Sequence, residues 1–467
     1  MGRQSASSAS RGPADEGPRP WPDRASAADL MQFATGDGRA AGHIGAVLVL
    51  GATPGFSVAE ARRMLGERIR AVPRLRQRLY RAPPGCGRPY WADDPAFDIT
   101  EHVRQVRCPP PGDERALLDL AAAQLGEPLP RSRPLWSATF VTGLADGGTG
   151  LLIIMDHVLA DGVAGLAVLG TLVDQAAETG QARADRFPVP APRARELAAD
   201  AWRGRLRRAG RAGPGARQAS GLRRIRAGMA ELGGSRPPRR RPATSLNQPV
   251  GPRRRLDVVA VDLAGVRDLG HAHGGTVNDA VLAAVAGALR TLLAARGEQL
   301  GEVTITVPVA ARRAATGGEL GNQIGIMTVT VPATGDFGTR VTRTAEITRE
   351  RKSGARGASA DLFVPAFLLM ARLGLLRWFA RRQRVVQTFV TNLHGPEDPL
   401  TFGGAAVRAI IPIPSTTGNV TATFAAASYA GTLRITILSD PSRVPDAAAL
   451  AAALRRELSA PLIAPLP

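Results

Sequence analysis

Residues 150–165 read Gly-Leu-Leu-Ile-Ile-Met-Asp-His-Val-Leu-Ala-Asp-Gly-Val-Ala-Gly, and no other stretch constrains the fold as tightly. The apolar run Leu151 to Met155 is too short for an isolated helix and predicts a buried strand. That strand delivers His157 to its end, where Asp161-Gly162 turns the chain into an apolar helix of about four turns. An imidazole at the edge of a core can be fixed in one rotamer and still meet substrate. Its ordinary pKa suits proton transfer near neutrality.

A chain of 467 residues exceeds one ordinary core and predicts two domains. Its charge is uneven. Trp202 to Arg255 holds sixteen arginines and one acid, Glu231, which places fifteen of the formal +20 in one segment. Lys352 is the only lysine, so the basic balance is arginine set among Ala, Gly and Pro, a composition that reads as codon bias. The arginine tract has no aromatic interleaving beyond Trp202 and no nucleic-acid reading motif, so a nucleic-acid partner is not expected. Cys86 and Cys108 lack ligand spacing and read as two thiols of a reducing cytoplasm. Residues 1–24 read as a disordered leader without an apolar signal core. The best membrane-span candidate, Leu362 to Ala380, is broken by Pro365, Arg372 and Arg377 and reads as an amphipathic or core helix. A cytoplasmic protein follows, at most peripheral on the inner membrane face.

Along the chain, residues 25–180 form a first domain carrying the histidine motif. His43 to Leu50 predicts a strand, Ser57 with Glu60 a capping box opening a helix to about Ala71, and Asp113 to Leu125 another helix. Ser137 to Thr142, the turn at Ala145-Asp146-Gly147-Gly148 and the His157 strand predict a hairpin. Residues 181–250 read as an Arg/Pro-rich linker without sustained period. Within it Leu222, Ile225, Met229 and Leu232 share one helical face, which suits a membrane surface or, equally, a helix packed on the protein with its arginines solvated. Residues 251–467 form a second domain. There Thr276 with Asp279 predicts a capping box, Val303–Val309, Ile324–Val331, Thr388–Asn392, Val420–Ala426 and Leu433–Leu438 predict strands, and a last helix follows Pro445-Asp446. No phosphate-binding glycine loop or dinucleotide fingerprint is present, and His271 with His273 has no partner at metal-ligand spacing.

The pattern His-x-x-x-Asp-Gly resembles the signature of coenzyme-A-dependent acyltransferases and peptide-synthetase condensation domains. Together with other pieces it resembles the bacterial wax ester synthase/diacylglycerol acyltransferase family over about residues 25–460. Those pieces are Arg133-Pro134-Leu135-Trp136, Leu246-Asn247, Thr276-Val277-Asn278-Asp279 with Gly287-Ala288-Leu289-Arg290, and Val307-Pro308-Val309. Gly321-Asn322, Thr391-Asn392 with Gly395-Pro396, Ser428-Tyr429 with Gly431, and Asp440 with Val444-Pro445-Asp446 complete the order.

The resemblance implies an α/β fold of two chloramphenicol-acetyltransferase-like domains with an active-site tunnel between them. It implies acyl-CoA and a lipid alcohol as substrates, no cofactor, and a triacylglycerol or wax ester as product. It makes His157 the general base. Asp156 stands where the family usually has a first histidine. Strand alternation points adjacent side chains to opposite faces, so Asp156 and His157 should not share one job. Asp161 reads as a loop-holding helix cap and Gly162 as a position of close approach. Trp136, Asn278 and Asp279 are candidates for the tunnel wall, against core packing for Trp136 and simple helix capping for Asp279. A lipid-binding relative without catalysis, and acyl transfer to a secondary-metabolite hydroxyl or amine, fit the same residues.

Overall fold

In the computed structural model the run around Leu151 is the centre of a sheet. The structure describes residues 23–26, 29–30, 42–159, 162–174, 187–210, 244–310, 324–353, 370, 373–416 and 418–459. A short edge sheet is built from β1 (Asp23–Arg24), β3 (Gln77–Tyr80) and β4 (Tyr90–Asp93). The larger sheet of the first half contains β2 (His43–Leu50), β5 (Val103–Arg107), β6 (Trp136–Thr142) and β7 (Thr149–Asp156). Around it lie α1 (Val58–Ile69), α2 (Glu114–Leu125), α3 (Gly162–Leu172) and α4 (Ala194–Gly210).

β7 explains the unbroken apolar run. It lies between β2 and β6, and every residue from Thr149 to Met155 is buried. Leu151, Ile153 and Met155 pack into one cluster with Leu65, Ile69 and Val168, whereas Leu152 and Ile154 face Leu118 and Leu125 on the other side. A strand covered on both faces has no polar side to alternate with.

The second half supplies β8 (Arg255–Asp262), α5 (Leu263–Ala272), α6 (Val277–Ala295), β9 (Glu302–Ala310), β10 (Ile324–Pro332), α7 (Phe337–Ser353) and α8 (Leu375–Ala380). β11 (Thr388–His394), β12 (Thr401–Phe402), β13 (Ala405–Ile413), β14 (Ala422–Tyr429), β15 (Thr432–Ser439) and α9 (Ala447–Ser459) complete it. Its sheet runs β10-β9-β11-β14-β15-β8, with β11 parallel to both neighbours. The other sheet runs β12-β13-β2-β7-β6-β5, so the β12–β13 hairpin leaves its own half and pairs with β2, Ile411 opposite Val47. Tyr429 reinforces the exchange: its hydroxyl donates to the Val407 carbonyl at 2.8 Å and accepts from the Leu400 amide at 2.8 Å. Leu256 and Leu438 join Val47, Leu118 and Leu152 in a cluster that spans the two halves.

Several sequence expectations are refined. The Thr276–Asp279 capping box forms in both directions. At Ser57 only the serine arm forms, accepting from the Glu60 amide, because the Glu60 carboxylate pairs with Arg63 instead. The linker reading missed α4, which is held to the edge sheet by Arg24 donating to Asp200 at 3.0 Å and to the Leu197 carbonyl at 2.9 Å. The face at Leu222 to Leu232 and most of the Leu362–Ala380 segment lie outside the described residues. Among the described residues, the helix long and apolar enough to cross a membrane is α6, and 72% of its most apolar window is buried inside the protein, as befits a core helix.

Candidate active site

The chain leaves β7 through a tight turn that carries His157. The Asp156 amide donates to the Leu135 carbonyl at 2.9 Å, and the His157 amide donates to the Gly42 carbonyl at 2.8 Å. Asp156 Oδ1 accepts from the Val158 amide at 2.9 Å, and the Leu159 amide closes the turn onto the Asp156 carbonyl at 2.9 Å. Val158 and Leu159 are fully buried and anchor the turn from below. The His157 side chain is left half-buried at the rim, fixed in backbone position and reachable from outside. α3 then runs from Gly162 and packs against β11 of the other half, so the motif sits where the halves meet. Asp161 lies outside the described residues.

Asp156 is half-buried and its carboxyl is pushed up by burial. The Val158 amide and the nearby His43, His157 and Arg131 offset part of that rise. His43 is the residue that sequence reading missed: it opens β2 directly opposite Asp156 in the strand register. Nothing in the linear sequence indicates that register, beyond the fact that a strand begins at His43.

The remaining candidates separate by environment. Trp136 is 3% exposed, donates its indole N–H to the Leu75 carbonyl at 2.7 Å and stacks on His102 at 4.5 Å between ring centroids. It is a packing residue beneath the motif strand. Asp279 is buried, accepting from the Thr276 amide at 2.9 Å, the Thr276 hydroxyl at 2.7 Å and the Thr348 hydroxyl at 2.7 Å. With its oxygens so occupied it ties α6 to α7 as a cap, and half-buried Asn278 stands beside it. The resemblance pieces Asn392, Gly395-Pro396, Ser428-Tyr429 and Gly431 do converge, around a cleft of about 70 Å³ beneath Val277.

Asp174, beyond the end of α3, was not singled out by sequence either. It accepts from the Gly403 amide at 2.9 Å, the Gly404 amide at 3.0 Å and Arg68 of α1 at 2.6 Å. It thereby pins the visiting β12–β13 hairpin to the helix that follows the motif.

Comparison with known proteins fits this arrangement. The wax ester synthase/diacylglycerol acyltransferase catalytic domain matches residues 26–281, and the C-terminal domain of the same family matches residues 320–460. The chain belongs to the wax ester synthase/diacylglycerol acyltransferase family. A putative diacylglycerol O-acyltransferase of Mycobacterium bovis is 30% identical over 410 residues, 83% of this chain and 84% of that protein. A probable diacylglycerol O-acyltransferase of Mycobacterium tuberculosis matches with the same identity and coverage. Among solved structures, a wax ester synthase/diacylglycerol acyltransferase from Marinobacter aquaeolei VT8 shares the fold at a TM-score of 0.64 and 20% identity, covering 93% of this chain and 98% of that one. The first condensation domain of the calcium-dependent antibiotic synthetase shares it at 0.61 and 18%, over 93% and 95% of the two chains. The protein is therefore an acyltransferase of this family, built on the mixed α/β fold of condensation domains. The family's C-terminal region includes the β12–β13 hairpin, so residues of both matched regions build the sheet that carries His157.

Proposed function

We propose that the protein transfers a fatty acyl group from acyl-CoA to the free hydroxyl of a diacylglycerol, with a long-chain alcohol as a second acceptor class and His157 as general base. The observation that carries this reading is the place of His157, half-buried on an anchored turn at the junction of the halves, in a chain 30% identical to relatives named diacylglycerol O-acyltransferases. A thioester is an activated acyl donor, and the poor nucleophile is the alcohol. Neutral His157 takes the hydroxyl proton as the oxygen attacks the thioester carbonyl, giving a tetrahedral oxyanion. The C–S bond then breaks, the ester remains, and the coenzyme A thiolate takes the proton from the imidazolium. A positioned histidine base contributes about 10²–10⁴-fold. Acyl-CoA and alcohol would approach His157 from opposite sides of the junction.

An acceptor panel tests the reading. Labelled acyl-CoA is supplied with diacylglycerol, hexadecanol, a polar secondary-metabolite alcohol and an amine, and the acylated products are quantified. Diacylglycerol is expected to give the highest kcat/KM. Preference for the polar alcohol or the amine would move the protein to a different acceptor class, and binding without turnover would make it a lipid-binding relative.

Because these acceptors dissolve in membranes, we place the working protein in the cytoplasm at the inner membrane face. Support comes from around α8, where Leu373, Leu375, Trp378 and Phe379 are all more than a third exposed. Arg377, Arg381, Arg382 and Arg384 lie among them, and no acid occurs from Leu362 to Pro396. Exposed aromatic rings beside arginines suit the headgroup region of a bilayer. Each basic residue near an anionic surface adds about 1 kcal/mol. Sedimentation should show binding to anionic vesicles that weakens at high salt and drops when these four arginines become glutamine. Equal binding to neutral vesicles, or none to either, contradicts the placement.

A further inference from the structure

We infer that Asp156 and His43 form a cross-strand couple that positions the turn carrying His157 and favours proton uptake by its imidazole. The inference rests on His157 being the base and assigns Asp156 and His43 as positioning residues. The two are the last pair of the β2–β7 ladder, so their side chains leave the same face of the sheet, Cβ atoms about 4.5–5.5 Å apart. That face packs on α2. His43 is 5% exposed, and its Nδ1 donates at 3.2 Å to the carbonyl of Leu125, the last residue of α2. This bond fixes the His43 ring against the C-terminal end of α2.

Asp156 and the residue before His43 hold the turn. Gly42, just before His43, accepts the His157 amide, and Asp156 accepts the Val158 amide with its side chain and the Leu159 amide with its backbone. The register of β2 against β7 therefore sets where His157 stands. The charged groups acting on Asp156 are His43 from β2, His157 from its own turn and Arg131 from the loop before β6. From α2 the neighbouring group is the Leu125 carbonyl. Burial is the largest influence and leaves the Asp156 carboxyl raised above its ordinary range, with the Val158 amide, His43, His157 and Arg131 offsetting part of it. Asp156 directly precedes the imidazole that must become positive as the alcohol loses its proton, and its ionised form would stabilise that charge. The histidine usual at this place in the family carries no negative charge, so Asp156 gives this chain a group at the turn that becomes negative when ionised.

Asp156→Asn separates the two roles, because the amide oxygen can still accept from the Val158 amide while the charge is gone. Asp156→Asn is expected to lower kcat by about 5–20-fold, with KM for acyl-CoA within about twofold and little change in melting temperature. The acid limb of kcat/KM, which reports neutral His157, should move down by about half to one pH unit, since a lost anion makes the imidazolium less stable. His43→Gln, which removes the imidazole but keeps a polar side chain, should lower kcat in the same direction. Asp156→Ala should lose turnover and melting temperature together. A folded Asp156→Asn with wild-type kcat and an unmoved acid limb overturns the inference, leaving Asp156 as a turn former. His157→Ala is measured alongside. If it is inactive, an unmoved Asp156→Asn overturns the couple alone; if it stays active, the base assignment falls and the couple with it.

Discussion

His157→Ala is expected to lower acyl transfer by about 10²–10⁴-fold while the protein still folds. The fold should survive because His157 is not among the buried side chains: the turn is held by backbone amides to Gly42 and Leu135 and by buried Val158 and Leu159, all unaffected by the change. Alanine also keeps the His157 amide that donates to Gly42. The check is acyl-CoA turnover beside circular dichroism and melting temperature. A folded variant that keeps most of the wild-type rate removes His157 from the proton path.

The second large effect lies at Asp174. Asp174→Ala is expected to cost about 2–4 kcal/mol, because it removes acceptors for two hairpin amides and the carboxylate partner of Arg68, whose side chain is only 12% exposed. Burial alone would raise this carboxyl, but the Gly404 amide, the Arg68 guanidinium and the Gly403 amide outweigh it and hold it at about 2, against an ordinary 3.8. A folded-state value below the unfolded one means that the stabilisation is complete above about pH 4 and is lost as the pH falls through about 2. Denaturant melts at pH 7 and pH 3 should therefore show wild type and Asp174→Ala converging at the lower pH. A constant gap between them would show that the charge of Asp174 contributes nothing to the clamp.

What could be read from the sequence follows from where the physics is local. β7 was legible because a strand covered on both faces is apolar throughout, and α6 because Thr276 and Asp279 cap it reciprocally. The motif histidine was legible for the same reason, as it ends that strand. α4 was not, because among its described side chains Leu197 is the deeply buried apolar anchor while Trp202 and Leu206 stay exposed, so no period emerges from the Arg/Ala background. β13 was not, because its partner β2 lies some 360 residues earlier and pairing over that distance leaves no local trace. The same limit hid His43 and Asp174. Each matters through what it faces across a ladder or a hairpin. Asp156 showed in the sequence as a departure from the family pattern, but only the register supplies its partner. Asp279 could be read as either wall or cap, and its bonds to the Thr276 amide and hydroxyl make it a cap.

The most direct measurement follows both products at once, with labelled acyl-CoA, diacylglycerol in anionic vesicles, and simultaneous assay of free thiol and labelled triacylglycerol. One thiol released per triacylglycerol formed is expected with the wild type, and both products lowered together by about 10²–10⁴-fold with His157→Ala. Thiol release without triacylglycerol, or equal product from His157→Ala, would contradict this expectation.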